Sequence, residues 1–210
     1  MKAAIFDADG TLLDSMPIWQ ELGDRYLAQR GVTPEPGLGN ILYPMSLEEG
    51  CAYLKEHYHL SETQQEIGES IEEILTAFYR SEVQLKPGAG DYLQKLHDRG
   101  IPMLVATSSR REPLQWVFQR LGIGGFFREI LTCQDLHTTK RDPDIYLEGA
   151  GRLGVKPEDT AVFEDVLYGI QAAKRAGFET YAIEDDTNVQ DREALHREAD
   201  HYIRNFKELL

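Results

Sequence analysis

The chain has 210 residues, with 36 Asp and Glu against 22 Lys and Arg, and a formal charge of −14. That length accommodates one sizeable α/β domain, or a core domain with a small insertion, and a 41% hydrophobic share is ordinary for a globular protein. The negative balance repels phosphate backbones and anionic lipid, arguing against nucleic-acid and membrane partners, and no apolar run has the length of a membrane helix.

The first residues enter a strand without a signal-peptide pattern, so the cytoplasm is the expected compartment. Cys51 and Cys133 are then two free thiols, and nothing in the sequence demands more than a monomer, or at most a weak dimer. Ala3-Ala4-Ile5-Phe6 has the length of a buried strand and runs into Asp7-Ala8-Asp9-Gly10-Thr11. On extended backbone Asp7 and Asp9 point the same way. Two adjacent carboxylates are costly unless a metal ion, a shared proton or a catalytic duty compensates them. Gly10 permits a sharp turn close to a ligand.

Ile18, Leu22 and Tyr26 then recur at helical spacing up to Gly31, and Gly37, Gly39 and Pro44 mark a loop. Leu47 to Tyr58 and Ser61 to Glu82 read as helices. With no good strand in between, residues 14–86 are expected to form a small helical domain. It interrupts an α/β core made of residues 1–13 and 87–210. Pro87-Gly88-Ala89-Gly90 closes the insertion.

Beyond it the pattern alternates. Helices are predicted at Asp91–Arg99, Glu112–Leu121, Pro143–Leu153 and Gly169–Ala176. Strands are predicted at Pro102–Thr107, Glu129–Cys133, Thr160–Phe163, Glu179–Ile183 and His201–Ile203. This alternation predicts a Rossmann-like parallel sheet with helices on both faces. Such sheets bind ligands beyond the carboxyl ends of their strands. Asp7 and Asp9, Thr107 and Ser108, and Glu164 and Asp165 each end a separate apolar run, so they should converge on one edge.

Four stretches in order, Phe6 to Ser15, Val105 to Ser109, Lys140 with Pro143 to Tyr146, and Val162 to Asp165 with Gly169 to Ala173, resemble the motifs of the haloacid dehalogenase superfamily. The similarity covers nearly the whole chain and points to the branch of small phosphatases and phosphomutases with a helical cap. It implies that Asp7 is the nucleophile, attacking phosphorus to form a phosphoaspartate, and that Asp9 is the general acid and then the base. It further implies a Mg²⁺ ion held by Asp7, Asp165 and the Asp9 carbonyl, with Glu164 ligating directly or through water. Thr107 and the Ser108 N–H would bind a phosphate oxygen, and Lys140 would bridge Asp7 and phosphate. Gly10, Ser109, Arg110 and Trp19 are the remaining candidate substrate contacts. Ala8 is smaller than the residue often found between the two aspartates, and Arg141 stands where many relatives have proline.

The implied function is hydrolysis of a small phosphorylated metabolite such as a sugar phosphate, phosphoglycolate or a nucleotide-like ester. The helical insert would exclude water and read the leaving group. A β-phosphoglucomutase is the alternative. That enzyme carries a cap histidine and a cap-loop arginine, whereas Trp19 stands near the histidine's position and Leu42-Tyr43-Pro44-Met45-Ser46 has no arginine. A regulatory protein that binds phosphate without turnover is disfavoured by the intact Asp7, Asp9, Thr107, Lys140 and Asp165 set.

Overall fold

The computed structural model describes residues 1–210, which divide into two compact units, Met16–Glu82 and the remainder. The larger unit is built on a six-stranded parallel sheet in the order β3-β2-β1-β4-β5-β6. Its strands are β1 (Ala3–Phe6), β2 (Met103–Thr107), β3 (Phe127–Thr132), β4 (Thr160–Glu164), β5 (Glu179–Ile183) and β6 (His201–Ile203). The chain moves outward from β1 to β2 to β3, then returns to the other side of β1 for β4. The order therefore reverses between β1 and β4, and a crevice is expected beyond their carboxyl ends.

The helices are α1 (Pro17–Ala28), α2 (Leu38–Leu42), α3 (Leu47–His57) and α4 (Gln64–Ser81) in the smaller unit, which has no strand. The larger unit carries α5 (Ala89–Asp98), α6 (Arg111–Arg120), α7 (Cys133–Leu136), α8 (Asp144–Leu153), α9 (Leu167–Arg175) and α10 (Arg192–Glu198).

All residues of β1 are buried, because strands flank it and both faces are covered. Ala3 and Ile5 pack with Leu104, Val162, Ile145, Tyr146, Ala172 and Ala173, the side of α8 and α9. Phe6 faces the other way and stacks on Phe163 at 4.4 Å, which stacks in turn on Tyr181 at 4.6 Å. Phe206 and Tyr92 of α5 close that aromatic layer.

The smaller unit starts its longer helices with capping boxes, Ser46 with Glu49 and Thr63 with Glu66. Ile67, Ile71, Ile74 and Phe78 form the buried stripe of α4. The expected loop around Gly37 and Gly39 contains the short helix α2. Gly39 lies so close to α1 that a Cβ there would meet the Gln20 carbonyl oxygen at 2.0 Å. Lacking a side chain, it packs helix on helix instead of breaking one.

Three other elements differ from the sequence reading. Strand β3 begins at Phe127, where that ring packs against Phe118 and Phe6, and it stops at Thr132 because Thr132 caps α7. Helix α10 has a single buried residue, Leu195, and so little apolar periodicity. The insertion is shorter than expected because the two linkers pair: Asp14 N–H donates to Gln84 O and Lys86 N–H to Leu12 O. That pairing leaves 14–15 and 83–86 in the larger unit.

The aromatic layer yields a stability prediction. Phe163→Ala should cost about 3–5 kcal/mol in urea unfolding, since neighbouring strands cannot collapse onto the void. A loss near zero would show that these stacked rings do not carry the core.

Candidate active site

Strands β1 and β4 are tied at their ends by the Asp7 N–H donating to Phe163 O at 2.9 Å. Their register places Asp7 beside Glu164 and Asp165, and one carboxylate oxygen from each of the three buried residues lies within 4.8 Å of the other two. Lys140, only 4% exposed, comes from the segment between α7 and α8 and donates to both Asp7 Oδ1 and Glu164 Oε1. Arg141 turns away, its guanidinium 4.5 Å from the Tyr168 ring centre.

Each carboxylate has its own set of donors. Glu164 accepts the Tyr146 hydroxyl on Oε1 at 2.8 Å and the N–H groups of Asp165 and Val166 on Oε2 at 3.2 and 3.4 Å. Asp165 accepts Thr11 Oγ1 on Oδ1 at 3.1 Å and the Asn188 amide on Oδ2 at 2.8 Å.

Burial dominates the electrostatics. It pushes the Asp7 carboxyl up to about 7; Lys140 pulls against this while Glu164 and Asp9 add to it. Asp165 is raised well above the usual carboxylate range by burial, then by Asp7 and Glu164. For Lys140 burial works against the charged form, yet the carboxylates on either side outweigh it and hold the ammonium protonated.

After β1 the chain turns sharply. Gly10 has φ +86°, and the N–H groups of Leu12 and Leu13 both return to the Ala8 carbonyl at 2.9 and 2.8 Å. The turn brings Ser15 Oγ to Asp9 Oδ1 at 2.7 Å, while Ser109 Oγ donates to Asp9 Oδ2 at 2.6 Å. Asp9 is thus held by hydroxyls from two loops, one of them from Ser109, a candidate substrate contact. Thr107 is buried at the end of β2, and its Oγ1 accepts the Ser109 N–H at 3.0 Å. A hydroxyl that accepts this bond still has a proton to donate.

The remaining candidates are more scattered. Ser108 Oγ lies 3.6 Å from the Cys133 sulfur. Arg110 occupies the residue before α6, in extended backbone and without a side-chain cap. Trp19 belongs to the helical unit, where it lines an apolar cavity of about 240 Å³ with Met16, Tyr43 and Met45. Sequence reasoning overlooked the site partners Thr11, Ser15, Tyr146 and Asn188. Thr11, Ser15 and Tyr146 fall inside stretches already singled out; nothing local distinguishes Asn188.

A family model for haloacid dehalogenase-like hydrolases matches residues 1–177. The chain belongs to the haloacid dehalogenase-like hydrolases. Among curated relatives, it is 30% identical over 180 residues to a phosphorylated carbohydrates phosphatase of Thermotoga maritima, covering 85% of this chain and 83% of that one. It is likewise 30% identical to a β-phosphoglucomutase of Bacillus subtilis, over 84% of this chain and 80% of the relative. Among solved structures, a Thermotoga maritima protein provisionally named β-phosphoglucomutase superposes over the full length of both chains, with a TM-score of 0.89 at 27% identity.

In this haloacid dehalogenase-like hydrolase, the buried ammonium should be strongly coupled to pH. Lys140→Met leaves three buried carboxylates without their cation, a change expected to cost about 3–5 kcal/mol. Because Asp7 and Asp165 have raised pKa values, they take up protons as pH falls, and the penalty should shrink. Urea unfolding with a chelator present should therefore show a larger loss at about pH 8 than at about pH 5.5. An equal loss at both values would mean that Lys140 acts through packing alone.

Proposed function

We propose that the chain is a Mg²⁺-dependent phosphomonoester hydrolase that works through a phosphoaspartate on Asp7. The observation that carries this reading is the buried contact of Lys140 with Asp7 and Glu164 beside Asp165, at the strand edge that also bears Asp9 and Thr107.

A buried, oxygen-only cluster suits a hard divalent cation. Asp7, Asp165 and the Asp9 carbonyl would hold it, with Glu164 near enough to contribute directly or through water. When bound, such an ion offsets the carboxylate charge and polarises the phosphoryl group.

The chain's own residues supply the rest. Lys140 holds Asp7 Oδ1, and the other oxygen attacks phosphorus in line. The Asp7 O–P bond forms as the bond to the leaving oxygen breaks, and that oxygen takes its proton from Asp9. Asp9, now a carboxylate, takes a proton from water as the water oxygen bonds to phosphorus. The Asp7 O–P bond then breaks, releasing phosphate and restoring both aspartates. Ser15 and Ser109 keep Asp9 aimed through both steps. Thr107 donates its hydroxyl to a phosphate oxygen, with the Ser108 N–H beside it. Both neutralise charge where it develops.

The substrate class we assign is a small phosphorylated metabolite, in line with the phosphatase among its relatives. The mutase relative favours a second reading. Against it stands the helical unit, where Trp19 occupies the approximate place of the mutase histidine and residues 42–46 offer no arginine.

A panel of sugar phosphates, phosphoglycolate and nucleotides should give Mg²⁺-dependent phosphate release. Asp9→Asn should slow it about 10²–10⁴-fold, the range of general acid–base catalysis. Full-rate release by Asp7→Asn would defeat the nucleophile assignment. With β-glucose 1-phosphate and its bisphosphate activator, isomerised sugar without net phosphate release would replace the hydrolase by the mutase.

A further inference from the structure

The Asp165 carboxylate is approached from a direction that no motif marks. After β5 the chain forms a tight turn over Asp186–Asp191, and Asn188 within it leaves helical geometry, at φ −106° and ψ 24°. Its side-chain amide donates to Asp165 Oδ2 at 2.8 Å and to the Asp165 carbonyl at 3.2 Å. Thr11 occupies the opposite oxygen, so the two donors set the plane of the carboxylate between them. A carboxylate held on both oxygens by donors from two different segments keeps one fixed orientation.

The turn carrying Asn188 is anchored. The Asn188 N–H returns to Asp185 O at 3.1 Å, and Asp185 Oδ1 accepts the Thr187 N–H at 2.9 Å. Asp185 Oδ2 accepts Lys86 Nζ at 2.6 Å in a buried ion pair. Breaking such a pair is costly, so this loop has a firm base for a connection between strand and helix.

We propose that Asn188 is a positioning residue that fixes Asp165 for a divalent cation and sets the affinity of the site for it. The proposal rests on the reading of Asp165 as a metal ligand. Groups that orient a ligand from behind typically change metal affinity about 10–100-fold when removed.

Isothermal titration of the metal-free full chain with Mg²⁺ alone tests this, comparing the unmodified protein with Asn188→Ala, Asn188→Leu and Asp165→Asn. Both Asn188 variants should bind Mg²⁺ about 10–100-fold more weakly. They should also need more Mg²⁺ for half-maximal activity while keeping most of kcat at saturating metal. Urea unfolding without metal separates positioning from support. A lowered unfolding midpoint with unchanged Mg²⁺ affinity would make Asn188 a loop anchor and overturn the proposal. Asp165→Asn separates the two levels of the argument: unchanged Mg²⁺ binding in that variant would remove Asp165 from the metal site altogether. Loss of binding in Asp165→Asn with unchanged binding in both Asn188 variants would defeat only the role given to Asn188.

Discussion

Three carboxylates and one ammonium, all buried, meet where β1 and β4 end, and the rest of the molecule is organised around that imbalance of charge. Asp7, Glu164 and Asp165 repel one another in a medium that screens poorly, and Lys140 alone is opposite in sign. Such a cluster persists only if the fold holds it by force. The rigid parts are the strands: Asp7 and Asp165 follow paired parallel strands whose four aligned faces lie wholly in the core. The cost is offset in part by donors, namely a tyrosine hydroxyl, a threonine hydroxyl, an asparagine amide and two backbone N–H groups. What they do not supply is a second positive charge. A divalent cation would supply it, and so would a proton; burial, the largest cause for both, raises the pKa values of Asp7 and Asp165.

The two aspartates of the first loop occupy different environments. Asp7 lies against an ammonium in the core, whereas Asp9, two residues on, lies between two serine hydroxyls and is less buried. Lys140 favours the ionised form of Asp7 against the burial that raises its pKa. The partners of Asp9 are hydroxyls, which can either donate or accept. The hydroxyls come from opposite directions, Ser15 from the turn after β1 and Ser109 from the end of β2. The loops at the sheet edge therefore position Asp9 as well as Asp7.

Much of this was legible in the residues, for a physical reason. Strands buried on both faces read as unbroken apolar runs, and a polar residue ending such a run must lie at the sheet edge. Asp7, Thr107 and Asp165 declare themselves in that way. Elements whose stability comes from elsewhere do not. Helix α7 depends on the Thr132–Asp135 capping box, and α10 on one buried leucine, so neither leaves a periodic apolar stripe. The partners of the site were hidden for a related reason. Tyr146 reads as an ordinary apolar position of α8, and only the packing of α8 across β1 and β2 brings its hydroxyl to Glu164. Asn188 lies in a polar turn where an asparagine is unremarkable in composition, and its meaning comes from a residue 23 positions earlier.

The point at which the helical unit is inserted fits the same logic. The outgoing linker carries Thr11 and Ser15, which hold Asp165 and Asp9, and the returning linker carries Lys86, which anchors the loop of Asn188. If these segments were slack, the carboxylates would lose the donors that orient them. They are not slack: Leu13 and Leu85 form an antiparallel bridge, and the flanking N–H groups of Asp14 and Lys86 pair across it. The linkers thus behave as a short ribbon belonging to the α/β unit. The insertion leaves and rejoins the chain there without interrupting the donors of the charge cluster, because the paired ribbon belongs to the α/β unit and the helical unit spans Met16–Glu82. The insertion can follow so soon after Asp7 because the segments that lead into and out of it are themselves bonded to Asp9, Asp165 and Asp185.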